Sequence, residues 1–124
     1  MDLTPIIQRG RQVIESYGPG GFRVSGQAYA SSILIFPDQT VRWDVGDPSA
    51  IKEADLAPVL NHGGVEILLL GCGARLLPVP PALRQALKAA GIVVDPMDTG
   101  AACRTYNVLM AEERPVAAAL IRPG

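Results

Sequence analysis

The polar residues whose types and spacing suit chemistry gather in the last quarter of the chain, Asp95-Pro-Met-Asp-Thr-Gly-Ala-Ala-Cys-Arg-Thr-Tyr-Asn-Val-Leu-Met-Ala-Glu112. A helix starting near Thr99 would present unpaired N–H groups at its first turn, an edge that favours anions. Arg104 lies one and a half turns later and could point back over that edge. A second polar turn, Gly71-Cys72-Gly73, follows the apolar run Val65-Glu-Ile-Leu-Leu-Leu70. If the two preceding strands are neighbours, both turns face one crevice, the usual place for a ligand in an α/β sheet. Gly71, Cys72, Gly73, Asp98, Thr99, Arg104 and Asn107 are therefore candidate binding residues, and a small carboxylate or phosphate is the ligand chemistry. Each also has a plainer role. Asp98 or Thr99 serves as an N-cap without any ligand, the two glycines permit a tight turn, and Thr105 and Asn107 can bond backbone.

No set of nucleophile, base and orienter is complete, so no catalytic residue is assigned. Gly71-x-Gly73 runs into Arg75-Leu-Leu-Pro-Val-Pro80 and not into a helix, so the context of a dinucleotide fingerprint is missing and no cofactor is expected. His62 is the single histidine and the cysteines number two, Cys72 and Cys103. That leaves no recognisable metal spacing. Cys72 reads as a thiol on an exposed turn, inert or reactive. Cys103 reads as helix packing and His62 as a surface residue at a helix end.

The elements that must position these residues follow from periodicity. Residues 1–20 are turn-rich, with one alternating stretch, Gln12-Val-Ile-Glu-Ser-Tyr17. Phe22-Arg-Val24 is a short strand, and Gly26 a bend. Ser31–Phe36 and Thr40–Val45 bracket Pro37-Asp-Gln39, the clearest hairpin signal. Alternation along its second arm makes one face apolar, and Trp43 and Phe36 belong to a core or to a partner surface. Ser49 is placed to cap a helical stretch over residues 50–60, which Pro58 breaks into short turns. Val65–Leu70 is a buried strand. Pro81–Ala90 is a helix with Leu83, Ala86, Leu87 and Ala90 on one face, started by proline and followed by Gly91. Ile92–Val94, a helix over 99–112 and Pro115–Ile121 complete a βαβαβ unit. An antiparallel hairpin half thus precedes a βαβαβ half. With about 60 residues each, the halves are too small for separate cores, so residues 1–124 are expected to form a single α/β domain.

The chain has 48% hydrophobic and 19% charged residues and a net charge of −1, the balance of a folded domain. Its basic residues form no block longer than Arg9-Gly-Arg11, which argues against nucleic acid as the partner. The longest apolar runs are strand length, well short of the roughly 18–20 residues that span a bilayer. The opening Met1-Asp-Leu-Thr-Pro5 has an acid where a signal peptide carries Lys or Arg. A cytoplasmic location with reduced thiols is the expectation.

Gly20-Gly-Phe-Arg-Val-Ser-Gly26, Ser31-Ser-Ile-Leu-Ile35, Leu68-Leu-Leu-Gly-Cys-Gly73 and Met97-Asp-Thr-Gly-Ala-Ala-Cys-Arg-Thr-Tyr-Asn-Val-Leu109 together resemble one family. It is that of the mitochondrial complex I assembly factor 3 and its bacterial relatives, and the resemblance covers roughly residues 4–122. Asp98-Thr99, Ala102, Thr105 and Asn107 are its specific part. Cys72 departs from the Thr more usual between the two glycines. The resemblance implies a three-layer α/β fold with a mixed sheet and a hammerhead-like β excursion. It also implies a non-enzymatic assembly role through protein contacts, with membrane-complex subunits as partners and a location peripheral to the inner membrane. The alternative is an enzyme or sensor that binds a small anion in the 71–73/98–104 crevice.

Overall fold

Strand alternation places successive side chains on opposite faces, and in this chain both faces of the central strands are apolar. The structure is a computed structural model and describes residues 10–123. β1 (Ile14–Gly18), β2 (Gly21–Val24) and β3 (Gln27–Tyr29) form an antiparallel three-stranded sheet. β4 (Ser32–Ile35) and β5 (Thr40–Trp43) are the expected hairpin. Two short 3-10 turns, Pro48–Ala50 and Glu53–Leu56, lead into α1 (Ala57–His62). β6 (Ile67–Gly71), α2 (Pro81–Ala89), β7 (Val93–Met97), α3 (Thr99–Ala111) and β8 (Val116–Leu120) complete the chain.

The main sheet runs β5-β4-β8-β6-β7. β8, β6 and β7 are mutually parallel, and β4 joins β8 antiparallel, so the sheet is mixed. β4 is consequently an inner strand and not an appendage. Leu34 and Phe36 enter one core with Leu68, Leu70, Ala117 and Ala119, under Val59 of α1 and Leu83 and Leu87 of α2. Ile33 and Ile35 enter the other with Leu69, Ala118 and Leu120, under α3 and the three-stranded sheet. Layers of helix, sheet, and helix plus small sheet result. The alanines of β8 are fully buried between the two cores, where a small side chain allows close approach of α3.

Residues 50–60 break as Pro58 requires, but the cap of the first turn is Asp47, whose carboxylate accepts from the Ser49 N–H (2.9 Å), and not Ser49. Trp43 and Phe36 are core residues, 5% and 0% exposed, and the Trp43 indole donates to the Asp55 carbonyl (2.8 Å). The hairpin therefore offers no apolar partner face. β7 extends through Pro96 and Met97, beyond the strand expected from Ile92-Val-Val94.

Candidate functional site

β6 and β7 are adjacent and parallel, yet their connections leave to opposite faces: β6 leads to α2 and β7 to α3. The ends of these two strands are the switch point, and the 71–73 and 98–100 turns meet there. Their polar groups bond one another. The Cys72 N–H donates to the Met97 carbonyl (2.8 Å), and the Thr99 N–H donates to the Gly73 carbonyl (2.9 Å). The Thr99 hydroxyl accepts from the Gly73 N–H (2.8 Å) and donates to the Ile121 carbonyl (2.8 Å). The Ile121 N–H closes onto the Gly71 carbonyl (3.0 Å). Thr99 is fully buried, and its hydroxyl ties together the ends of three strands. Gly71 has no room for a side chain: a Cβ there would lie 3.1 Å from the Thr99 Cα and 3.0 Å from the Leu120 Cδ2.

Asp98 is the N-cap of α3, accepting from the Ala101 N–H (2.8 Å). That bond and the Thr99 N–H bond engage donors that an anion at this helix end would use. Cys72 is buried, with its thiol 3.6 Å from the Leu70 carbonyl. The exposed thiol expected from the sequence is thus corrected, because residues 74–80 fold back and the Leu77 carbonyl also approaches the sulfur.

The rest of the motif faces the small sheet. Arg104 is exposed and its guanidinium donates to the Tyr17 hydroxyl (2.8 Å). Tyr17 lies over the first turn of α3, where a Cβ on Gly100 would stand 2.7 Å from its oxygen. Asn107, 4% exposed, accepts from the Ile14 N–H (3.0 Å) and donates to the Ile14 carbonyl (2.8 Å). Its amide thus mimics a neighbouring strand for β1. The Tyr106 hydroxyl donates to the Gln12 carbonyl (2.9 Å), and burial pushes its pKa up. Gln12 in turn bonds the Pro37 carbonyl through its N–H and the Thr40 hydroxyl through its side chain. Tyr17 and Gln12 escaped the sequence reading. They lie about 90 residues from their partners in α3, and no local pattern marks them.

Cys103 is fully buried, and burial pushes its thiol pKa up to about 12. His62 is less exposed than expected. Its ring stacks on Phe36 (centroids 4.6 Å apart), bonds Asp38 (3.0 Å) and accepts from the Gly64 N–H (3.2 Å). Among the described residues no group of three or more His, Cys, Asp or Glu is arranged to hold a metal, and no helix is long and apolar enough to cross a membrane.

A family model described as a protein of unknown function (DUF498/DUF598) matches residues 14–121. The chain belongs to this family. An uncharacterised Rhodobacter capsulatus member is 39% identical over 112 residues, 90% of this chain and 86% of its own. The NADH dehydrogenase [ubiquinone] 1 alpha subcomplex assembly factor 3 of Danio rerio is 38% identical over 112 residues, 90% of this chain. The chain spans 64% of the length of that assembly factor. Among solved structures, a Bartonella henselae protein described as an outer membrane protein superposes with a TM-score of 0.86 at 40% identity, covering 93% of this chain and 98% of that one. The resemblance seen in the sequence and the α/β fold are both established by these matches. The chain is thus similar in sequence both to a bacterial protein without an assigned role and to a eukaryotic assembly factor.

Proposed function

We propose that the chain is a non-enzymatic interaction module that helps assemble respiratory NADH:ubiquinone oxidoreductase, or a related membrane complex, from the cytoplasmic side. The observation that carries this reading is the 38% identity to an assembly factor across 90% of the chain. The geometry supports it. The motif residues Thr99, Asn107 and Asp98 spend their hydrogen-bonding capacity on holding strand ends and β1 in place. What they build is a rigid shape, and a scaffold presenting surfaces is the use such a shape serves. Recruitment to the membrane would come through partners.

Affinity capture of the tagged chain from gently solubilised native membranes, read by mass spectrometry against an unrelated tagged protein of similar size, tests the proposal. Enrichment of subunits of the oxidoreductase or of its partly assembled forms is the expected result. Capture that enriches no respiratory or membrane-biogenesis protein would overturn it.

A further inference from the structure

One strip of the main sheet lacks a cover among the described residues. On the face that carries α3, the helix lies across β6 and β8, and the small sheet packs beside it over β4. β7, at the far edge, touches α3 only at its flank. Register pairs Val93 with Ile67 and Met97 with Gly71, so Val93, Asp95 and Met97 project on this face while Val94 enters the opposite core. Val93 is 68% exposed, the most exposed large apolar residue among the described residues. Ile67, Met97 and Leu109 are half-buried against the core beneath α3. Arg104 and Asn107 turn toward β1, and by the 100° helical step Thr105 and Leu109 fall on the opposite flank, toward β7. The result is a shallow trough whose floor runs Val93, Asp95, Met97 along β7 with Ile67 beside it, and whose wall is the α3 flank that carries Leu109.

Its rim is acidic. Asp95 stands mid-strand on the floor itself, and Asp98 at the end beyond Met97. Glu112 and Glu113 stand where α3 ends, next to the sheet end at which the Pro115 carbonyl takes the Glu66 and Ile67 N–H groups. The nearby cations are Arg114 and Arg84, and Arg84 donates to the Val94 carbonyl (3.3 Å).

The free edge of β7 is poorly suited to adding a strand. Because Val93 donates inward to Glu66 and Met97 accepts from Cys72, alternation turns residues 94 and 96 outward. The Val94 carbonyl is covered by Arg84, and Pro96 has no N–H to offer. An occupant must therefore lie on the face. Five strand residues extend roughly 16 Å, the length of about three helical turns.

We propose that this trough is the docking site for a short amphipathic helix of a protein partner, with apolar residues over Val93, Met97 and Leu109 and basic residues meeting Asp95 and the acidic ends. The proposal rests on the assembly reading and names the surface and the partner chemistry it would use. So small a contact belongs among weak, transient interfaces.

The test has two arms. In the first, a synthetic 14-residue Leu/Lys amphipathic helix and its Leu/Glu counterpart are titrated into the isotopically labelled chain and followed by amide chemical shifts. Shifts confined to residues 93–97, 105, 109 and 112–114 with the Leu/Lys peptide, at least tenfold weaker with Val93→Glu and absent with the Leu/Glu peptide, are expected. Shifts centred elsewhere, or unchanged binding by Val93→Glu, would overturn the proposal. So would concentration-dependent shifts of the Val93 region without peptide, which would make a second copy the occupant. Val93 is exposed, so its variant is expected to fold, and the unperturbed spectrum of the rest of the chain verifies it. In the second arm the membrane capture is repeated with Val93→Glu. Wild-type capture lost in the variant supports the trough, and equal capture rejects the trough while leaving the assembly reading intact. If the wild type captures nothing, the assembly reading fails, and the peptide arm still judges the surface.

Discussion

Asn107→Ala removes one side chain and strands two backbone groups. The Asn107 amide supplies both hydrogen bonds to Ile14, at 3.0 and 2.8 Å, and both residues are buried. Alanine leaves the Ile14 N–H and carbonyl without their partner, beside a space too large for its methyl group to fill. An orphaned buried group costs about 1–3 kcal/mol. The two together, offset in part because the amide itself no longer has to be desolvated, give an expected loss on the order of 2–5 kcal/mol. Urea denaturation followed by Trp43 fluorescence measures it, and Trp43 belongs to the core on the other face of the main sheet. Amide exchange at Ile14 measures it locally. If β1 and the main sheet unfold as one unit, both probes lose the same free energy. If the small sheet opens alone, exchange at Ile14 accelerates while the Trp43 transition moves little. A loss under about 0.5 kcal/mol by both probes, with Ile14 still protected, would refute the claim that this clamp holds the small sheet.

Two further perturbations follow from the geometry. Gly71→Ala is expected to destabilise by about 1–3 kcal/mol despite the better strand propensity of alanine, because its Cβ would press on the Thr99 backbone and Leu120; a neutral or stabilising effect in urea denaturation would show that the switch point has slack. Burial holds the Cys103 thiol neutral, raising its pKa from 9.0 to about 12, so its contribution is full below pH 9 and is lost as pH rises toward 12. Between pH 9 and 10 this group makes stability fall with a slope approaching 1.4 kcal/mol per pH unit, and Cys103→Ala should show a visibly flatter profile; identical slopes would count against the burial argument.

The C-terminal half was legible because its signals are local. A β-rich run, a proline-started amphipathic helix and a second run before Asp98-Thr-Gly100 each fit within a dozen residues. The hairpin was legible through Pro37-Asp-Gln39, and the interruption before α1 through Pro58. The small sheet was legible only through Phe22-Arg-Val24 and the alternation of Gln12–Tyr17, and not as three paired strands. Its strands are three to five residues long, and the β2–β3 turn passes through Ser25 and Gly26, both at positive φ. Serine gives no warning of that conformation. The candidate site was legible as a place and not as a set of roles. Asp98 announced itself as a cap, whereas the tie from Thr99 to Ile121 and the hold of Asn107 on Ile14 join residues 22 and 93 positions apart. Such pairings depend on which strands become neighbours. The strand order places β8 and β7 on either side of β6, and α3 between β1 and the trough at β7. The exposure of Val93 likewise follows from that order, since an apolar residue in a strand reads as core until the strand proves to be an edge.

Assembly of the respiratory oxidoreductase is the role proposed for this chain. It is tested most directly by deleting its gene and resolving solubilised membranes on native gels stained for NADH oxidation, with the wild-type chain restored as control. The full-size NADH:ubiquinone oxidoreductase band is expected to fall severalfold, smaller subassemblies to accumulate, and the restored chain to reverse both. An unchanged amount of full-size complex in the deletion strain would contradict it.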